Sequence, residues 1–502
     1  MILLLILALP VIFMYLFHKN RKAAKPLLPP GPPGLPLIGN LHQFVTPTNL
    51  HIHLWKLSRK YGSLMHMKLG PVPVLVVSSA KLAKEVMKTQ DSVFCSRPKL
   101  LGQQKLSYNC LDIAFSPYSD YWKEMRKVSV VHLFSIKKAQ SFRPIREDEI
   151  SRMVAKIQAL ASSSDRVVVN LSEMVTDLAT TLICRIAFGT RYDERGSESR
   201  RFNKLVRDAQ AAMADIYVSD YYSLFSWVDK LTGKLAHLDA TWKSLDMFYQ
   251  ELIEDHRHRN RPKTLEEEEE EEDILDILIR LKEQNVLSSN LTWDHVKAML
   301  MDIFIAGIDT STASIIWTMT ALMKAPDVMK KVQIEIRELV GRKGKVDEVY
   351  IQNLPYLRAV INESLRLYPP IPLIPRETME DCILEDYKIQ AKSMVYVNAW
   401  AIARDPEYWE DPDTFFPDRF LNCDVDIKGH HFGVLPFGSG RRICPGIYMG
   451  LANVELTVAN LLYSFDWELQ SGMQEQDIDT DSLPGITVLK KNPLLLVPKK
   501  RV

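Results

Sequence analysis

The sequence predicts a mainly α-helical fold with small β-sheets. Helical patterns dominate the chain from about residue 118 onward, and short strand-like segments occur near both of its ends. Because strands occur on both sides of the helices, the pattern predicts one interleaved α+β domain rather than separate helical and β domains.

The first segment of the chain is strongly apolar. Residues 1–17 carry no charge, and a basic cluster from His18 to Lys25 follows them. At about 1.5 Å per residue the run covers roughly 25 Å, which suits a thin bilayer. A cleaved signal peptide is the alternative, but no basic residue precedes the run and no small-residue cleavage site ends it. We therefore expect residues 1–18 to be an uncleaved transmembrane anchor with its basic flank in the cytosol.

A basic and then proline-rich segment, residues 19–40, follows the anchor. Its prolines fix φ and exclude both a helix and a central strand. The segment predicts a rigid hinge, with the apolar Leu35, Leu37 and Ile38 docked on the globular part. Residues 41–502 are then expected to be a single domain.

The elements of that domain begin with a hairpin and end with short strands. Residues 64–70 and 72–77 predict the hairpin, and Ser79 begins a helix. Seven successive glutamates at 266–272 predict a solvated loop rather than a metal site. Further short strands are expected at 384–398 and 485–498. Helical patterns occur at 118–130, 143–161, 170–188, 198–215, 235–259, 273–284, 292–324, 326–340, 354–367 and 446–463.

Charge and cysteine content exclude several classes of function. A formal net charge of +1 gives no chain-wide basic field, so we expect no nucleic-acid partner. The six cysteines lack CxxC spacing, which indicates neither a zinc site nor a disulfide framework. A reducing compartment fits this cysteine pattern best.

The segment PFGSGRRICPG, residues 436–446, delivers Cys444 directly before a predicted helix. Backbone N–H groups and the helix dipole should lower the thiol pKa there and make Cys444 a competent anionic metal ligand. The glycines should let a flat ligand approach the backbone closely. A glycine-rich loop around a buried structural cysteine is the alternative.

This segment resembles the haem-binding motif of the cytochromes P450, F-x-x-G-x-R-x-C-x-G, at Phe437, Gly440, Arg442, Cys444 and Gly446. The resemblance implies the cytochrome P450 fold, with haem b between an oxygen-activation helix and the helix that follows the cysteine. It also implies Cys444 as the axial thiolate ligand, the other four residues as cofactor contacts, and monooxygenase activity.

A polar interruption, Ala306-Gly-Ile-Asp-Thr-Ser311, occurs within the apolar helical run 292–324. Glycine costs about 1 kcal/mol in a helix interior, so helix stability does not explain it. Thr310 could hold a water while Asp309 relays protons toward it, which is general acid catalysis. A buried, satisfied Asp–Thr pair is the alternative. The segment is similar to the oxygen-activation motif of the family and lies about 135 residues before Cys444, as that motif does.

Two further groups are assigned by the resemblance. Glu363 and Arg366, three apart on a helix, together with Arg419 in a PDRF segment, are similar to the family's buried structural charge network. Asp418 stands where the family usually has Glu. The W-x-x-x-R pair Trp122 and Arg126 would hold the haem propionates together with Arg376 and Arg442.

The family template also assigns an apolar substrate pocket. Its expected lining residues are Leu101, Phe115, Ile216, Ile303, Ala306, Ile371, Leu373 and Ile486. Such residues predict a small hydrophobic ligand, although each of them fits an ordinary core position equally well.

The resemblance covers nearly the whole chain and is closest to the plant 71-type group. It implies a single-pass protein of the endoplasmic reticulum membrane that receives NADPH-derived electrons from NADPH-cytochrome P450 reductase. Its co-substrate would be O2 and its substrate a terpenoid, phenolic, alkaloid or oxime. A haem-thiolate isomerase or dehydratase that does not consume O2, and a non-catalytic haem sensor, are the alternatives. The presence of both Asp309 and Thr310 argues against them.

Overall fold

The computed structural model describes residues 28–45, 49–163, 166–191, 197–258, 272–284 and 290–501. The expected anchor, 1–18, and most of the glutamate run lie outside the described residues. The predicted fold class is confirmed, because long helices surround small sheets whose strands come from both ends of the chain.

The largest sheet has four strands in the order β1-β2-β7-β4. Strands β1 and β2 form the predicted hairpin through Gly70 and Pro71, and Gly70 has a φ of 59° that favours glycine. Strand β7 pairs in parallel with β2 and antiparallel with β4, which carries Arg376. The strands are β1 Leu64–Leu69, β2 Val72–Val77, β3 Val169–Asn170, β4 Leu373–Glu377, β5 Cys382–Leu384, β6 Tyr387–Ile389, β7 Met394–Asn398, β8 Phe465–Glu468 and β9 Leu495–Lys500.

Each of the ten predicted helices is present within two residues of its predicted ends. The helix predicted to begin at Ser79 is confirmed, with Ser79 as the N-cap of Ala80–Lys84. The helix Leu50–Tyr61 and the short helices Leu41–Val45 and Asp91–Phe94 had no prediction. The helices are α1 Leu41–Val45, α2 Leu50–Tyr61, α3 Ala80–Lys84, α4 Asp91–Phe94, α5 Leu101–Leu106, α6 Asp120–Val128, α7 Ile136–Ser141, α8 Arg143–Ser163, α9 Leu171–Phe188, α10 Ser197–Ala214, α11 Ser226–Leu231, α12 Lys234–His258, α13 Ile274–Glu283, α14 Trp293–Lys324, α15 Pro326–Val340, α16 Glu348–Ile351, α17 Pro355–Leu367, α18 Ala399–Ile402 and α19 Ile447–Ser464.

The long helix α14 is the centre of the molecule. It packs against α9, α17 and α19, and most of its side chains are buried. Its length and apolar composition would suffice to cross a membrane, yet 72% of its apolar window is buried within the protein. The helix is therefore a core helix, and it places the Ala306–Ser311 segment in the middle of the fold.

The described part of the proline-rich segment docks through its polar groups, contrary to the expectation from its apolar residues. Leu35, Leu37 and Ile38 are exposed. Asn40 instead is buried: its side-chain amide donates to the carbonyl of Pro32 at 3.2 Å and accepts from the Lys68 amide at 2.9 Å. Backbone hydrogen bonds are enough to hold the segment in place, because it runs beside the edge strand β1.

The strand predicted at 485–498, near the carboxyl terminus, was too long. Strand β9 begins only at Leu495, and residues 484–487 bend without joining a sheet. Apolar content alone could not distinguish that loop from a strand.

Candidate functional site

The cysteine lies in a tight loop between a 3-10 turn, Gly440–Arg442, and the first residue of α19. The loop is closed by the Cys444 amide, which donates to the Phe437 carbonyl at 2.9 Å. The N–H of Gly446, at the helix N-cap, donates to the Cys444 sulfur. The sequence thus places one thiol sulfur at a helix N-terminus, as predicted.

The predicted lowering of the thiol pKa is wrong in its net direction. Burial raises the pKa of Cys444, and the Gly446 N–H and the charge of Arg126 offset that rise only in part. The dipole argument had the correct sign but omitted the desolvation of the thiolate. A thiolate at this place therefore needs a directly bonded cation to stabilise it.

The cysteine loop has glycine at several positions, for different structural reasons. Gly440, expected to approach a cofactor, has a φ of 69°, and a Cβ there would lie 2.2 Å from the Met87 carbonyl oxygen. Gly440 is therefore required by packing against Met87. Gly446 and Gly450 instead face open space, with no heavy atom within 4 Å of an added Cβ. One side of the first turn of α19 is thus clear.

The central helix has a matching opening. Ala306 is exposed and Thr310 is half-buried, although their neighbours along α14 are mostly buried. The Thr310 hydroxyl donates to the Ala306 carbonyl, so the predicted helix-internal bond forms. Since α14 and α19 pack against each other, the openings at Ala306 and at Gly446 lie on adjacent helices. Space next to Gly446 on one helix and an exposed Ala306 on the other are features that a flat macrocycle between the two helices would require.

Side chains of the neighbouring helix α10 interact with the carboxyl group of Asp309. Burial raises its pKa to about 6, while a hydrogen bond from Gln210 and the charge of Arg207 act in the opposite direction. Gln210 also donates from Nε2 to the Ile305 carbonyl at 3.4 Å. A carboxyl group with a pKa near neutrality can both bind and release protons, which is what a relay requires.

Three arginines near the cysteine loop, Arg97, Arg376 and Arg442, carry positive charge without enough partners. Their pKa values are lowered mainly by burial, to about 10 for Arg376 and about 9 for Arg442, and Arg376 lowers the pKa of the other two. Arg376 Nε, Arg376 Nη1 and Arg97 Nη1 are buried without a hydrogen-bond partner among the described residues. Because arginine stays charged in proteins, the cluster requires an anion. The two carboxylates of a haem supply that charge, so the residues present fit the group.

The structure places the remaining propionate candidates around the same cluster. Trp122 stacks on the Arg442 guanidinium at 3.9 Å, and its Nε1 donates to the Ile113 carbonyl at 2.9 Å. Arg442 donates to the carbonyls of Cys95 and Ser116 at 2.8 and 2.7 Å. Arg126 instead donates to the carbonyl of Ile443, directly beside the cysteine.

The three side chains assigned to a structural network meet in the core. Arg366 forms a bidentate pair with Glu363 at 2.6 and 2.8 Å, and Arg419 Nε donates to the same carboxylate at 3.0 Å. The Phe416 amide adds a further bond at 2.9 Å. Glu363 and Arg366 are fully buried, and Asp418 lies outside the network in a pair with Lys331.

One of the expected substrate residues is buried in the core, and the other seven are at least partly exposed. Ile303 is 6% exposed and packs inside the main hydrophobic core, which makes it a core residue rather than a lining residue. Ile216 packs against the four-stranded sheet, and Leu373 begins strand β4 of that sheet. Both are partly exposed, as are Leu101, Phe115, Ile371 and Ile486, and Ala306 is exposed.

Sequence reasoning missed Arg97, Gln210, Asp112 and Asp302. Arg97 has no motif around it; the bridge from Ser96 to Glu377 brings it to β4 and thus to Arg376. Gln210 had no signal beyond its place on a helix. Asp302 did have a signal in the sequence, because a carboxylate in an apolar helical run needs a partner.

Comparison with known proteins agrees with this arrangement. The family model "Cytochrome P450" matches residues 29–497. The chain is 48% identical to 6,7,8-trihydroxycoumarin synthase of Pastinaca sativa over 99% of this chain and 98% of that protein. It is 49% identical to 5-OH-xanthotoxin synthase of Ammi majus, again over 99% and 98%. Cytochrome P450 71B36 of Arabidopsis thaliana is 45% identical over the same shares. A zebra fish cytochrome P450 solved with progesterone superposes with a TM-score of 0.78 at 26% identity, covering 90% of this chain and 100% of that chain.

Proposed function

The chain belongs to the cytochrome P450 family, as a monooxygenase of the plant 71 type that carries haem on a cysteine thiolate. On that premise we propose that it hydroxylates a small, flat, hydrophobic phenolic of the coumarin class. The observation that carries this proposal is the open face of α14, where Ala306 leaves room beside Asp309 and Thr310. The coumarin class is suggested by two of the relatives, the trihydroxycoumarin and hydroxyxanthotoxin synthases.

We propose that one cysteine, three arginines and a tryptophan hold the haem. Cys444 is the thiolate ligand, and Arg97, Arg376, Arg442 and Trp122 surround the propionates. The unpartnered N–H groups of Arg376 and Arg97 support this assignment. Bound haem supplies the centre that activates dioxygen. Arg126 places its charge beside the sulfur and limits the cost of burying a thiolate.

Asp309 and Thr310 are proposed as the proton-delivery pair. Asp309 takes protons from the side of α10, where Arg207 is exposed and Gln210 bonds to the carboxyl. Thr310 holds a hydroxyl one residue further along α14, at the open face. Delivery along this pair is general acid catalysis, and it leaves the apolar part of the face free for substrate.

Electrons must come from a separate protein. We propose NADPH-cytochrome P450 reductase, docking on the side of helix α6 that carries the exposed Lys123 and Lys127. Their helix also carries Arg126, which contacts Ile443 next to the cysteine. Lys123 pairs with Asp120 at 2.9 Å, and the exposed Lys127 is the charge of this helix that would attract an acidic electron donor.

We propose attachment to the endoplasmic reticulum membrane, with residues 1–18 as anchor, 19–40 as hinge and 41–502 as the cytosolic catalytic domain. Exposed apolar side chains support this on the described part of the chain. Leu37, Leu224 and Leu231 are 78%, 88% and 77% exposed, and Tyr222 donates a hydrogen bond to the Leu37 carbonyl. Tyr222 thus ties the proline-rich segment to the chain segment that carries Leu224 and Leu231, and exposed apolar side chains of this kind are what a bilayer would cover.

The central experiment combines the full-length protein with its reductase and NADPH. We expect a thiolate-type carbon monoxide difference spectrum, and a spin-state change when a coumarin is added. Product formation should consume O2 and NADPH. Turnover of an oxygenated substrate without O2 would indicate the isomerase or dehydratase alternative, and a spectrum without any turnover across a broad panel would indicate the sensor.

A matched pair of variants tests the ligand. Cys444→Ala should abolish the thiolate-type spectrum, whereas Cys423→Ala, at an exposed cysteine, should leave it unchanged. A thiolate spectrum that survives in Cys444→Ala would refute the ligand assignment.

A further inference from the structure

Two buried carboxyl groups face each other between the loop 107–118 and the central helix. Asp112 of the loop and Asp302 of α14 are 0% and 8% exposed. Asp302 Oδ2 accepts the Ile113 amide at 2.8 Å, and Asp112 Oδ2 accepts the Phe115 amide at 2.6 Å. Each carboxyl thus uses one oxygen to bind the backbone of the same short loop.

The other oxygen of each group has no N–H or O–H donor in hydrogen-bond geometry, and the Ala114 amide is the further backbone group that favours the charged form of Asp302. Asp112 Oδ1 and Asp302 Oδ1 are both buried and unpartnered within the described part of the chain. The two side chains nevertheless lie within hydrogen-bonding reach of each other. Two ionised carboxylates cannot remain at that distance in a buried site, whereas one proton between them satisfies both oxygens.

We propose that Asp112 and Asp302 share one proton, and that this carboxyl pair clamps the loop 107–118 to helix α14 and so positions the arginine cluster. The clamp is a positioning device, because neither residue contacts the reacting atoms. Ionisation of the pair replaces the hydrogen bond by repulsion and releases the loop.

The loop matters because its carbonyl groups hold the residues assigned to the propionates. Ile113 accepts from Trp122 Nε1 at 2.9 Å, Ala114 accepts from Arg97 Nε at 3.0 Å, and Ser116 accepts from Arg442 at 2.7 Å. The consequence for haem binding rests on the proposed function, whereas the shared proton does not.

The backbone just before the clamp is strained. Tyr108, Asn109 and Cys110 have φ values of 52°, 64° and 66°, three successive non-glycine residues in the left-handed region. Such a run persists only where its surroundings hold it. A hydrogen bond between Asp112 and α14, two residues further on, is placed to do this.

Titration of the pair follows from its surroundings. Burial raises the pKa of both carboxyl groups, and the charge of Asp112 raises the pKa of Asp302 further. The groups that face the pair are Arg442, Arg97, Cys110, Tyr121 and Tyr249. Arg442 acts against the rise, but its hydrogen bonds go to backbone carbonyls rather than to the pair.

The folded pair keeps one proton that two ordinary aspartates release above their usual pKa of about 3.9. Between that value and the raised folded pKa, the unfolding equilibrium constant should rise about tenfold per pH unit because of this proton. Stability from the pair is therefore greatest at low pH and is lost as the pH rises.

The test uses the full-length holoprotein. Infrared spectroscopy at pH 7 should show a protonated carboxyl band that both Asp302→Asn and Asp112→Asn remove. Asparagine can donate its own N–H to the remaining carboxylate, so both variants should fold with the clamp kept. Urea unfolding between pH 5 and pH 8 should then lose the same single-proton slope in either variant, and the double variant should lose no more.

A control separates a shared proton from two independent ones. Burial raises the pKa of Asp220 to about 6, and its carboxylate accepts the Leu101 amide at 2.7 Å, away from the pair. Asp220→Asn should therefore change the slope additively with either pair variant. The proposal is overturned if the pair variants add to each other, or if the wild-type band at pH 7 is absent. Should both asparagine variants fail to fold, the pH titration of the wild-type band decides alone. None of these measurements requires substrate, reductase or turnover, so their failure is distinguishable from failure of the proposed activity.

Discussion

Gln210 of helix α10 hydrogen-bonds to the carboxyl group of Asp309 on helix α14. This contact favours the ionised carboxylate and holds the pKa of Asp309 below the value that burial alone would give. Gln210→Leu should therefore raise that pKa above about 6 and shift the pH profile of kcat toward higher pH. The profile is measured with saturating reductase, together with the ratio of product to NADPH consumed.

Variants of two other residues in helix α10 serve as controls for the effect of Gln210→Leu. Arg207→Gln removes a more distant charge and should shift the profile in the same direction by less, with a dependence on salt. Lys204→Gln, whose partner is Asp208, should not move it. An unshifted profile in Gln210→Leu would show that Asp309 does not limit proton delivery.

The arginine cluster predicts a second effect, on cofactor retention. Arg97→Gln should accelerate haem loss about tenfold or more, since a charged hydrogen bond contributes roughly 1.5–3 kcal/mol. Lys99→Gln removes the same charge from an exposed position of the same segment and serves as the control. Transfer of haem to an excess of an apo-haem protein gives both rates. Equal rates for the two variants would remove Arg97 from the cofactor site.

The buried network at Glu363 predicts a large loss of stability. Glu363→Gln leaves the fully buried Arg366 without its counter-charge, and breaking such a pair costs about 3–5 kcal/mol. Asp208→Asn breaks the surface pair with Lys204, which is worth only about 0.3–0.5 kcal/mol. Urea unfolding followed by the haem absorbance compares the two. A similar small loss in both variants would contradict the structural role.

Long periodic segments were predictable because their apolar spacing follows from local geometry. Helix α14 is an example: its boundaries came from the apolar run, and its polar interruption marked Asp309 and Thr310. Cys444 was found because its loop has a distinctive local pattern. Both signals are contained within about 30 residues of sequence.

Contacts that depend on distant segments could not be predicted. The bond between the Ile113 amide and Asp302 joins residues 189 positions apart, so neither residue indicates the other. Gly440 was assigned to the cofactor although its neighbour is the Met87 carbonyl, which only the folded chain places there. The net direction of the Cys444 pKa shift likewise depends on burial, which the loop sequence does not reveal.

Gly307 allows helices α9 and α14 to pack closely beside the open face. A Cβ at this position would lie 2.4 Å from Cδ1 and 3.0 Å from Cγ1 of Ile183. Gly307→Ala should therefore destabilise the protein by about 1–3 kcal/mol through overpacking, although alanine gains about 1 kcal/mol in helix propensity.

The clash also predicts a specific compensation. Ile183→Val removes Cδ1 and alone should cost about 0.5–1.5 kcal/mol, because Ile183 is buried in the core. In the double variant the two losses should not add, and a coupling energy of more than about 0.5 kcal/mol is expected. Ile336→Val, at a buried position in a hydrophobic cluster that does not contain Ile183, should show no coupling to Gly307→Ala. Additive losses with Ile183→Val would mean that α14 tolerates a larger residue by moving, and the shape of the open face at Ala306 would then not depend on this contact.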